Sequence, residues 1–141
     1  MIQEFAQWIE NITAWKIGEN LFIGELPIKR HDKTEPPTRC VCLFEDGPST
    51  VDGQFPDRSD KEIQIWNRAD DYWTAREDAF ALYRRLHGKE NIWLPVLTSG
   101  EDYLIMVLDA VAEPAPIAKP NAKGKYEFST NYILRIEDPY A

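Results

Sequence analysis

Ile2, Phe5, Ala6, Ile9 and Ile12 recur at three- and four-residue steps, which lays a single apolar stripe along a helix and predicts an amphipathic α-helix over residues 2–13. Gly18 offers its stop. A second apolar run, residues 20–26, ends at Pro27 and predicts a short strand, followed by a polar loop over residues 29–37. Residues 40–45 are rich in β-formers. In residues 62–68, Ile63, Ile65 and Asn67 alternate with Gln64, Trp66 and Arg68, a period of two that predicts a strand with one buried face. Between these strands, Gly47, Pro48, Gly53 and Pro56 punctuate residues 46–61 without periodicity. A loop of about fifteen residues exceeds the usual connection length, and such loops in compact domains carry function or disorder.

Thr74, Ala75, Arg76 and Glu77 spell a capping box, in which the Thr hydroxyl and the Glu carboxylate each satisfy a free backbone donor. The predicted helix runs over residues 75–87, with Ala75, Ala79, Leu82, Tyr83 and Leu86 on one face. Arg84 and Arg85 sit in its last turns, where the dipole favours cations, and Gly88 closes it. Three strands follow, over residues 92–98, 103–112 and 126–136. Between the last two, Pro114, Pro116, Pro120, Asn121 and Gly124 break any ladder or helix. Residues 113–125 are therefore expected to form a projecting arm or hairpin tip. The whole reads as an α+β fold: a mixed or antiparallel sheet with two helices packed on it, a long loop and an arm, in one domain spanning residues 1–141.

Charge narrows the choice of partners. The chain has 24 Asp and Glu against 16 Lys and Arg, a net charge of −8. Nucleic-acid binders gain most of their affinity by neutralising phosphates with Lys and Arg, so specific DNA binding is not expected. Cys40 and Cys42 are too few for a disulfide scaffold and fit a reducing compartment. The first ten residues carry neither a basic region nor a long apolar run, so no signal peptide or membrane span is expected.

Candidate chemistry is sparse. Cys40 and Cys42 share a strand face, but no second Cys or His pair exists to complete a structural zinc site. Two small buried residues explain them. His31 falls in a polar loop, and His87 at a helix end, where a cation is favourable; neither is flanked by a nucleophile motif. The acidic pairs Glu45-Asp46, Asp70-Asp71, Glu77-Asp78, Glu101-Asp102 and Glu137-Asp138 sit mostly at element ends, where carboxylates cap helices and start turns. The glycines lack the spacing of a phosphate-binding loop. No catalytic residue, metal or cofactor is expected. Lys119, Lys123 and Lys125 form a small basic cluster in the arm. It could meet an acidic partner surface or a phosphate backbone, but a solvated loop tip is the simpler reading. Of Trp66, opposite the Ile63 and Ile65 face, and Trp73, just before the helix cap, at least one is expected to be half exposed.

Three passages carry a family resemblance: the alternating strand from Glu62 through Ile63, Ile65 and Trp66 to Arg68; the helix that follows with its Ala and Leu face; and the Pro-rich turn of Glu113, Pro114, Pro116 and Ile117 leading into Tyr126, Phe128 and Asn131. Together they resemble the tail terminator proteins of long-tailed bacteriophages, a group overlapping with minor capsid and tail completion proteins. The resemblance implies a virion protein assembled in the host cytoplasm as a hexameric homo-oligomeric ring. That ring caps the tail tube protein, stops its polymerisation and docks to the head connector or head-completion protein, and DNA passes through the lumen without specific binding. An acidic lumen would let DNA slide without sticking. The expected interface residues are Val51, Phe55, Trp66, Ile117, Lys119, Lys123, Lys125 and Tyr126. Alternatives are a head-completion or neck protein, a bacterial adaptor unrelated to phage, and, from a different class, a small hydrolase using an acidic pair.

Overall fold

In a computed structural model, residues 2–24, 38–47, 50–51, 54, 58–95, 102–117 and 124–137 are described. Helix α1 (Ile2–Ile12) buries Phe5, Ala6 and Ile9 completely, as its stripe requires. Thr13 ends it by returning its hydroxyl to Ile9 O at 2.7 Å. A tight turn then has Lys16 O accepting from the backbone N–H groups of Glu19, Asn20 and Leu21, with Gly18 at φ 84°. That turn leads directly into β1 (Leu21–Ile23).

The sheet is built on two long central strands, β4 (Arg58–Ala69) and β8 (Tyr126–Glu137), antiparallel and paired along their whole length from Arg58–Glu137 to Ala69–Tyr126. Each has two shorter strands along its outer edge. β2 (Cys40–Glu45) and β3 (Thr50–Val51) both pair with β4; β6 (Asp102–Ala110) and β7 (Ala115–Pro116) both pair with β8. β5 (Lys89–Pro95) lies outside β6 and β1 outside β2, giving the order β1-β2-β4-β8-β6-β5. The β1–β2 pair is parallel and the other pairs antiparallel, so the sheet is mixed.

Alternation decides the two faces. Ile63 and Ile65 of β4 and Tyr132, Leu134 and Ile136 of β8 point to the helices, where they join Phe5, Ile9, Val41, Leu43, Leu82, Leu86 and Leu108 in one apolar cluster. A smaller cluster, Ala69, Ala75, Ala79 and Phe128, lies towards the far end of the same strands. Buried Asn67 and Thr130 fall between the two along β4 and β8. α1 touches β1 and β2 near one rim of the sheet and β5 at the other, so the sheet curls around it.

Helix α2 (Tyr72–Leu86) packs on β4, β8 and β6 through Ala75, Ala79, Leu82 and Leu86. Its small residues bring it close to the strands. Arg39, just before β2, grips it from the side by a bidentate pair with Asp78 at 2.7 and 2.8 Å. Arg85 donates to Ile12 O at the C-terminus of α1, at 2.6 Å.

Several expected boundaries move. α2 starts three residues earlier than expected, at Tyr72, because Asp71 is the N-cap: its carboxylate accepts from Thr74 N at 3.0 Å, which places Thr74 inside the first turn. β4 begins at Arg58, inside the expected loop. Its polar first residues lack an apolar alternation and are held by backbone pairing to β3 and β8. β5 starts at Lys89, directly after Gly88 (φ 80°), whose N–H donates to Leu108 O. His87, expected as a helix-end cation, acts instead as an acceptor: its Nδ1 accepts from Ala110 N at 3.0 Å, and its ring stacks on Tyr83 at 5.2 Å.

Candidate functional site

The base of the arm is a short hairpin. After β7, Ile117 N donates to Glu127 O at 2.9 Å, extending the β8 ladder towards the tip. Residues 118–123, which include Lys119 and Lys123, lie outside the described residues, as does Phe55. Where the chain returns, Lys125 donates to Asp70, the residue linking the end of β4 to the cap of α2. This hydrogen bond, with a second from Thr38, holds the Asp70 carboxyl below the usual carboxylate range.

One residue further, Tyr126 opens an aromatic corner. Tyr72 meets Tyr126 edge-on at 6.1 Å, Phe128 at 5.4 Å and Trp73 edge-on at 5.1 Å. Phe128 is buried, Tyr72 and Tyr126 are half-buried, and Trp73 is 64% exposed, so the cluster runs from the core out to solvent. Rigid aromatics anchored at one end and open at the other are the usual anchors of protein interfaces. Ile117, 40% exposed, lies opposite Glu127 in the ladder, on the other sheet face from Tyr126 and Phe128.

The other expected residues lie elsewhere. Trp66 stands on the sheet face away from the helices, half-buried and tilted against Phe44 at 5.2 Å, with Cys42 and Ser129 beside it in the ladder. Val51 pairs with Ser59 near the opposite end of β4 from Tyr126. At a rise of about 3.3 Å per residue, the ten residues from Ser59 to Ala69 separate the two by roughly 33 Å. The structure thus joins Lys125 and Tyr126 in one corner, sets Ile117 at the arm base on the other sheet face, and leaves Val51 and Trp66 outside it. Sequence reading missed Tyr72 and Asp70 as parts of this corner. The doublet Tyr72-Trp73 beside a predicted helix start was the available signal.

Among the described residues, no group of three or more His, Cys, Asp or Glu side chains could hold a metal ion. Cys40 and Cys42 are buried, and burial pushes the Cys40 thiol up to about 11. Two of the grooves in the surface are lined by described residues. One, of about 350 Å³, lies between the end of α1 and α2 and is lined by Trp15, Asn20, Arg39, Asp78 and Arg85. The other, of about 320 Å³, is lined by Asp60, Val107, Asp109, Ile133 and Arg135, with Arg135 paired to Asp60 at 3.0 Å. Neither lining sets a Ser, Thr or Cys nucleophile against a His base, the arrangement nucleophilic catalysis uses. No described helix is long and apolar enough to cross a membrane.

A virion chain shares this fold. It comes from a particle described as the virion of a native gene transfer agent, and it superposes with a TM-score of 0.54 at 19% identity, covering 82% of this chain and 78% of its own. No protein-family model matches the sequence. No curated protein matches it either.

Proposed function

We propose that this chain is a structural component of a phage-like virion, acting as a tail terminator at the junction of tail tube and head. The observation that carries this reading is the fold shared with a gene transfer agent virion chain over most of both lengths. The resemblance of residues 62–132 to tail terminators points the same way. The exposed aromatic corner at the arm base suits a role exercised through contacts with other proteins rather than through a reacting centre.

In this reading, the protein assembles as a ring of identical subunits, each using two different faces, so that rotation closes the assembly. The arm, with Ile117 at its base, and the corner around Lys125 and Tyr126 meet the tube or a neighbouring subunit, and the region around Val51 makes a second contact at the other end of β4. Head-to-tail closure needs such separated patches. The side chains bind and position partner proteins; no chemical step is assigned to them.

The test is deletion of residues 118–123 from the chain in a phage or prophage that carries it, with electron microscopy of the particles. Tails of uncontrolled length are the expected result. Tails of normal length that fail to join heads would instead make it a neck protein, and normal joined particles would overturn the assignment of the arm.

A further inference from the structure

α2 presents a second non-polar surface beside the one it buries. At about 100° per residue, Tyr72, Tyr83, Arg76, Phe80, Trp73 and Arg84 fall in succession around roughly a third of the helix circumference, next to the buried Ala75, Ala79, Leu82 and Leu86. All four aromatics of the helix are therefore on one flank. The opposite flank carries Asp78, Ala81 and Arg85, and there Asp78 is committed to Arg39 and Arg85 to the end of α1.

The side chains of the flank hold each other in place. The Arg76 guanidinium lies 4.4 Å from the centre of the Phe80 ring and that of Arg84 5.9 Å, so Phe80 is sandwiched by cations one turn before and after it. Phe80 meets Tyr83 edge-on at 6.1 Å, and Tyr83 stacks on His87. At the N-terminal end, Trp73 is edge-on to Tyr72. An ordinary solvated helix face shows long flexible polar chains. Here ring and cation contacts run from side chain to side chain, which restricts their freedom before docking and so lowers the entropy lost on it, and the residue types are those that dominate binding energy at interfaces.

Charge selects the occupant. Arg76 and Arg84 leave the flank with an excess of one cation over Glu77 at its border, while the chain as a whole carries a net charge of −8. We infer that this aromatic and arginine flank of α2 is where a second copy of the chain docks, through an acidic surface elsewhere on that copy. Pairing of the flank with itself is disfavoured, since it would bring the arginines of two copies together. The contact is therefore between unlike faces, the kind that closes a ring by rotation. The inference rests on the assembly reading above and assigns the subunit contact that it requires.

The test compares the full chain with Arg84→Glu, Trp73→Ala and, as a control of equal charge change away from the flank, Lys16→Glu. Sedimentation velocity and native mass spectrometry give the assembly, and thermal melts show that the fold is retained. The expected result is that Arg84→Glu and Trp73→Ala each weaken self-association by about tenfold or more, that higher ionic strength weakens the unaltered chain, and that Lys16→Glu has little effect. Assemblies of unchanged strength in both flank variants overturn this inference and leave the assembly reading standing. An unaltered chain that stays monomeric at every concentration overturns both.

Discussion

Lys125, at the foot of the arm, donates to the carboxylate of Asp70, in the turn between the end of β4 and the cap of α2. The contact clasps two segments 55 residues apart and joins the arm to the aromatic corner. Its energy is modest, because an exposed ion pair is well screened. Its consequence is positional.

Opening that clasp is expected to loosen the arm without unfolding the protein. In Asp70→Asn, the amide of Ile117, bonded to Glu127 O, should exchange with solvent several-fold faster while the melting temperature barely changes. Acid should do the same to the unaltered chain. The Asp70 carboxyl is held below its usual range, so its contribution is present above the unfolded carboxylate value and is lost as pH falls through the folded one, that is, below about pH 4. Identical exchange at Ile117 in both proteins would show that the clasp does not hold the arm.

The start of α2 gives a sharper energetic test. Asp71 caps the helix, accepting from Thr74 N at 3.0 Å and from the Thr74 hydroxyl at 3.3 Å. Asp71→Ala should lower unfolding stability by about 1 kcal/mol, within a range of about 0.5–2 kcal/mol. Thr74→Ala should cost less than about 0.5 kcal/mol, since it leaves the Asp71 acceptor and the Thr74 N–H in place. Denaturant midpoints of the two variants check this, and the reverse ranking would return the cap to Thr74.

Alkali should find a second weakness. Burial raises the Cys40 thiol from 9.0 to about 11, because the thiolate is disfavoured beside the core. A group whose folded value is raised contributes stability that is complete below the unfolded value and is lost as pH climbs through the folded one. Stability should therefore fall between about pH 9 and pH 11, by on the order of 2 kcal/mol. Cys40→Ala should flatten that slope, whatever its effect at neutral pH. A thiol reagent at neutral pH should label neither Cys40 nor Cys42 until denaturant is added, and rapid labelling of the native chain would contradict their burial.

Much of the architecture was legible because the apolar periods are strong where elements face the core. The stripe of Phe5, Ala6 and Ile9, the run Cys40–Glu45 and the alternation of Ile63, Ile65 and Asn67 each correspond to an observed element. Legibility fails where backbone pairing replaces side-chain burial. Arg58, Ser59, Asp60 and Lys61 carry no apolar rhythm, yet they form strand because both edges of β4 are occupied there. Thr74 and Glu77 imitate a capping box, and only the position of Asp71 relative to the first turn decides between the two starts. The arm's proline pattern marked the segment in which Ile117, Lys125 and Tyr126 stand at the arm base. Their neighbours Tyr72 and Asp70 arrive from a segment 55 residues away in the case of the Asp70–Lys125 pair, a proximity that no local pattern encodes.

The grip of α1 on both rims of the sheet has a mechanical corollary. β1 and β5 stand at opposite ends of the strand order, yet each touches the same helix. A load applied at β1 or at β5 would therefore pass to the opposite rim through a rod seated by Phe5 and Ile9.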